Sequence, residues 1–68
     1  MTIRDLMEQF TIQGEYQIKR WSDEKETYDI LAEGRDFEYD KINDEALDAE
    51  IKYMYTPQQA SYIVFEVE

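Results

Sequence analysis

The sequence predicts an α+β fold in one domain spanning 1–68: an N-terminal helix packed on a four-stranded, mostly antiparallel sheet made of two hairpins. Three observations predict it. Apolar residues recur at helical spacing only over the first ten positions, alternate with period two from residue 15 onward, and are interrupted by turn-forming clusters at 22–26 and 56–60. A chain of 68 residues buries only about 60% of its unfolded surface, so a single efficient core has to form. Ten aromatics supply the material, each burying roughly 150–250 Å², and their abundance argues against disorder.

In chain order, Thr2 followed by Asp5 has the form of a capping box with Asp in place of Glu, and Asp5 sets negative charge at the positive end of the helix dipole. Ile3, Leu6, Met7 and Phe10 then fall on one helical face, which predicts a short amphipathic helix over 3–10. Two turns do not persist alone, so this helix must pack on the sheet. After Gly14 the period becomes two, with Tyr16 and Ile18 on one side of a strand and Gln17, Lys19 and Trp21 on the other. Residues 27–32 form the returning strand, and Gly34 ends it. Asp36, Phe37, Glu38, Tyr39 and Asp40 alternate strictly, so an extended backbone there would place three acids on one face and two aromatics on the other, a candidate fifth short strand at 37–39. Asn43 or Asp44 has the chemistry to cap a helical turn, but the segment is short and is assigned to a loop with a buried Leu47. Residues 50–55 and 61–67, rich in β-formers around a turn containing Pro57, make the second hairpin. The last strand is apolar on both sides, with Ile63, Phe65 and Val67 against Tyr62 and Val64, so it is either central or covered by a partner. The expected core is Ile3, Leu6, Met7, Phe10, Tyr16, Ile18, Ile30, Leu47, Ile51, Tyr53, Ile63 and Phe65.

Composition excludes much chemistry. Without cysteine or histidine there are no disulfides, no thiolate or imidazole metal sites, and no base for Ser22 or Ser61 as nucleophiles. Neighbouring carboxylates are plentiful, but none is singled out for the apolar pocket that separates the pKa values of a catalytic pair. An EF-hand starting at Asp36 would use Glu38, Asp40 and Asp44, yet Lys41 stands where the turn glycine belongs and Leu47 where the bidentate Glu belongs. No catalytic residue, metal site or cofactor is therefore expected. No apolar run is long enough to span a bilayer and the N-terminus lacks a basic-then-apolar order, so a cytoplasmic location is expected.

What remains is charge. Residues 23–50 hold twelve acids against Lys25, Arg35 and Lys41, net −9 of the chain's −10. Such acidity disfavours direct contact with nucleic acids or anionic membranes and favours a basic protein surface. The candidate acidic face is Asp23, Glu24, Glu26, Asp29 and Glu33 of the first hairpin beside Asp36, Glu38 and Asp40. Acids on one face of a strand repeat at about 6.6–6.8 Å, whereas each DNA strand presents a phosphate about every 3.4 Å. A nucleic-acid-like field therefore requires the hairpin and the 36–40 segment to lie side by side. The alternative is an acidic surface that only maintains solubility, on an oligomerisation module working through the C-terminal strand. Trp21, Tyr62 and Val64 are the candidate apolar interface, and Trp21 is either an exposed anchor or a cover packed across the hairpin on Leu31. Tyr53, Tyr55 and Tyr62 suit either a core edge or an interface.

The opening 2–10, the strand 14–21, the run Leu31, Ala32, Glu33 and Gly34 with its acidic-aromatic continuation, and 50–55 are together similar to small uncharacterised acidic proteins of phages and conjugative elements of Gram-positive gut bacteria. In size and acidity the chain also resembles DNA-mimic inhibitors, such as some anti-CRISPR and antirestriction proteins and the uracil-DNA glycosylase inhibitor. These resemblances imply a non-enzymatic accessory protein that binds a basic, nucleic-acid-binding protein.

Overall fold

The computed structural model describes residues 1–10, 13–36 and 41–68. Helix α1 (Ile3–Gln9) opens with the expected capping box: the Asp5 amide donates to Thr2 Oγ1 and the Thr2 amide donates to Asp5 Oδ2, both at 3.1 Å. These bonds hold the Asp5 carboxyl below its usual range. β1 (Glu15–Ser22) and β2 (Thr27–Arg35) form the first hairpin, α2 (Asp44–Leu47) follows, and β3 (Ile51–Tyr55) and β4 (Tyr62–Val67) form the second. The segment 44–47 is thus a helical turn rather than a loop, because Asn43 Oδ1 accepts the Ala46 amide at 2.9 Å and supplies the N-cap. The candidate strand at 37–39 lies outside the described residues.

The sheet is mixed, which corrects the antiparallel expectation. Its order is β2-β1-β4-β3, and the hairpins join through a parallel pairing of β1 with β4, from Glu15 opposite Tyr62 to Arg20 opposite Val67. β2 and β3 therefore run the same way, and a return of that kind takes a dozen or more residues. Residues 36–50 provide them and carry α2. β4 is interior to the sheet, which explains an apolar strand on both sides.

Both helices cover one face. Ile3 and Leu6 of α1 and Ala46 and Leu47 of α2 meet Tyr16, Ile18, Phe65 and Val67, with Ile42 and Ala49 completing the core. Ion pairs fasten the layer at its rim: Arg4 Nε and Nη2 reach Asp48 (2.8 Å) and Asp44 (3.3 Å), and Arg20 Nη1 reaches Glu45 at 2.8 Å. The N-terminal amine meets Glu50 at 2.8 Å, which holds it protonated above its usual range. Gly34 lies within β2 rather than ending it, opposite Tyr16, whose ring packs along the space a side chain would use.

Three expected core residues are exposed, for two reasons. Phe10 lies just past the last turn of α1, as its C-cap, and is 59% exposed. Strict alternation with Ala32 and Ile51 would turn Ile30 (48% exposed) and Tyr53 (55% exposed) inward, but a β-bulge breaks it in each outer strand. Leu31 is the extra residue between the pairs Ile18–Ala32 and Lys19–Ile30, and Lys52 between Ile51–Val67 and Tyr53–Glu66. One inserted residue turns everything beyond it to the other face. Met7, Ile51 and Ile63 are half-buried at the margin of the core. Among the described residues, no helix is long and apolar enough to cross a membrane.

Candidate functional site: the open face of the sheet

Directly paired residues share a face of a sheet, so the register fixes what the uncovered side presents. One row across the strands reads Ile30, Lys19, Glu66 and Tyr53; the next reads Glu33, Gln17, Val64 and Tyr55. Trp21 and Tyr28 pair beyond the first row, and Glu15 with Tyr62 beyond the second. Both bulges therefore enlarge this surface, since each delivers an apolar side chain that unbroken alternation would have sent inward.

The centre of the face is closed. Val64 and Glu66 are buried although no helix lies over them, because the longer side chains of the flanking strands lean across. Tyr28 reaches over from β2 and its hydroxyl donates to Glu66 Oε1 at 3.2 Å. Burial and then the neighbouring Glu66 charge push the Tyr28 phenol above its usual pKa. Lys19 Nζ lies 4.0 Å from the centre of the Tyr28 ring and 5.8 Å from that of Tyr55, so a cation is held between two aromatic rings. Every hydrogen-bonding group that burial would strand here has a partner.

Trp21 is 45% exposed at the margin of the face. It packs edge-on against Tyr28 with ring centres 5.1 Å apart, not against Leu31, and its indole Nε1 donates to Asp23 Oδ1 at 2.7 Å. The aromatic surface and the acidic tip of the hairpin are thereby joined through one side chain. At the opposite end the face runs into a shallow depression walled by Glu15, Arg35 and Tyr62.

The sequence-predicted sites divide. Trp21, Val64 and the half-buried Tyr62 share the open face, but Val64 is its floor and offers no surface to a partner. Asp23, Glu24 and Glu26 cluster in the β1–β2 turn, whereas Asp29 and Glu33 lie on opposite faces of β2: Asp29 pairs with Arg20 on the helix side and Glu33 with Gln17 on the open side. Lys25 binds Asp29 at 3.0 Å and Gln17 Nε2 donates to Glu33 at 3.4 Å. Asp36 stands past the far end of β2, about 30 Å from the turn at about 3.3 Å per residue. There Asp36 and Gly14 clasp the strand ends: the Asp36 amide donates to the Gly14 carbonyl and the Gly14 amide to Asp36 Oδ1, both at 2.7 Å. Glu38 and Asp40 lie outside the described residues. The six described acids thus do not share one face. Tyr28 and Ile30 join this face, Ile30 against its expected place in the core. The signal for Tyr28 was available, since a 23–26 turn sets it directly opposite Trp21, while Ile30 depends on a bulge that no local pattern marks.

Among the described residues no three acids converge as metal ligands. Comparison with protein-family models, curated proteins and solved structures found no match to this chain.

Proposed function

We propose that this chain is a non-enzymatic binding module, an accessory protein of a mobile element by its resemblance, that docks a basic protein surface with the aromatic open face and the acidic hairpin tip acting together. The contact of Trp21 with Asp23 carries the reading. It joins an exposed aromatic anchor, the side-chain type that dominates binding energy, to the turn where Asp23, Glu24 and Glu26 concentrate charge. Acids of this kind speed and orient encounter with a basic partner, and desolvated aromatics set the lifetime of the complex. A nucleic-acid mimic is the sharpest form of the proposal, with a DNA-handling protein as partner. The alternative, assembly through the C-terminal strand, meets a strand already paired on both sides.

The test is capture from bacterial lysate at two salt concentrations, with wild type, Trp21→Ala and the double variant Glu24→Lys/Glu26→Lys. The expected result is one basic protein whose retention falls at high salt and in both variants, with duplex DNA competing for it if the contact is mimicry. Capture that ignores salt and both variants would sink the proposal.

A further inference from the structure

The two outer strands of this sheet differ in how well they are protected from pairing. An edge strand turns unpaired N–H and C=O groups outward and invites a further strand unless charge or irregularity blunts it. β2 is blunted, with a bulge at Leu31 and the residues Asp29, Glu33, Gly34 and Arg35 along it. β3 also has a bulge, but at Lys52 next to the end that the N-terminus covers; beyond it the strand carries no charge and exposes large side chains on both sides: Met54, 55% exposed, on the helix side opposite Phe65, and Tyr53 and Tyr55 on the open side. The outer side of β3 already takes a strand at one end. Thr2 bridges Glu50 antiparallel and the Ile51 amide donates to the Met1 carbonyl at 2.8 Å, while the Glu50 carbonyl is held from the β4 side by the Glu68 amide. Among the described residues no other strand pairs with this edge, so it is open from Lys52 onward.

We propose that β3 pairs antiparallel with β3 of a second copy of this chain, joining two sheets into one eight-stranded sheet about a twofold axis. A register that clears Met1 and Thr2 and keeps the open faces continuous puts Met54 on the axis, Tyr53 opposite Tyr55 of the second copy, and Lys52 opposite Thr56. Aromatic residues then meet across the seam, and no two like charges do.

Charge permits a second copy, although each chain carries net −10. The acidic hairpin lies at the other edge, three strand spacings or about 14 Å from β3. In the pair the two β2 strands stand seven spacings apart, about 34 Å, well beyond the screening length of about 8 Å at physiological salt. The nearer acids Asp44, Glu45, Asp48 and Glu50 pair with Arg4, Arg20 and the N-terminal amine, Arg4 serving two of them, and Glu68 is a further exposed acid beside the Glu50 end of β3. A foreign basic strand would instead meet Lys52, a like charge.

The test is sedimentation and light scattering over a concentration series of the intact chain, with Met54→Lys, Ile30→Lys on the open face, and circular dichroism to verify folding of both exposed-site variants. The expected mass rises toward twice 8.3 kDa. Met54→Lys, which removes two buried methionines and sets two ammonium groups on the axis, weakens the dimer about a hundredfold, whereas Ile30→Lys leaves it intact. A mixed-label sample shows contacts between the Tyr53 ring of one copy and the Tyr55 ring of the other. A chain that stays monomeric to about 1 mM, or a dimer broken by Ile30→Lys and not by Met54→Lys, overturns the proposal. So does protection of residues 53–55 that appears only when a different protein is added.

Discussion

The acidic segment contains two groups of carboxylates that look alike in sequence and do opposite work. Asp44, Glu45, Asp48 and Glu50 belong to α2 and its flanks, where they meet Arg4, Arg20 and the N-terminal amine and clamp the helix layer onto the sheet. Asp23, Glu24 and Glu26 project from a turn, where the described contact is with the Trp21 indole. The first group answers to the interior and the second to solvent and partners. Net charge alone therefore overstates the surface available for recognition, because four of the acids are already engaged by Arg4, Arg20 and the N-terminal amine.

Removing what the clamps hold in place has the largest effect. Leu47→Ala empties a buried position of α2 and should lower stability by about 2–5 kcal/mol in urea unfolding, leaving the hairpin acids unaffected as charges. Asn43→Ala, which removes the cap of the same helix, should cost about 1 kcal/mol. Neutralising both Arg4 partners with Asp44→Asn/Asp48→Asn should cost at most about 1 kcal/mol, since exposed pairs are weak, and less as salt rises. Glu24→Gln/Glu26→Gln should shift stability by no more than about 0.5 kcal/mol yet reduce capture of a basic partner. A hairpin pair that destabilised the fold as much as the α2 pair would erase the distinction.

The smallest expected effect is a pH dependence at the helix start. The Asp5 carboxyl is lowered by the bonds it accepts from Thr2, so the folded state binds its proton less readily than the unfolded chain. Its contribution is present above the unfolded carboxylate range and is lost as pH falls through the folded value. Asp5→Asn should lower stability slightly in the neutral region, where the lowered carboxyl contributes, and so flatten part of the acid limb of a stability–pH curve.

Local chemistry was legible in this sequence and long-range pairing was not. The Thr2–Asp5 box and the 23–26 turn each involve residues within a few positions of one another, so their geometry is set by the chain itself, whereas the helical turn capped by Asn43 is too short to be told from the loop expected there. The joining of β1 to β4 is decided by which strands can cover a shared apolar face, a choice that no window of sequence contains. The bulges at Leu31 and Lys52 are marked by no glycine, and each sent one expected core residue to the open side. Ala46 and Ala49 were missed because small side chains give almost no hydrophobic signal, though a helix packed closely on a sheet favours them. Glu66 was unreadable as a buried residue because its cover comes from Tyr28, 38 positions away.

The parallel seam between β1 and β4 also governs how the chain acquires its structure. Each hairpin closes over a few residues, but the seam joins Glu15 to Tyr62 and Arg20 to Val67, separations of about two thirds of the chain. Contacts of such span raise the entropic barrier and slow folding relative to local ones. Phe65 and Val67 on β4 complete the apolar layer beneath the helices, so the chain has no finished interior until β4 pairs with β1, although the other five elements precede it. The interval before that seam closes is when Trp21, Ile30 and the β3 edge are most open to capture.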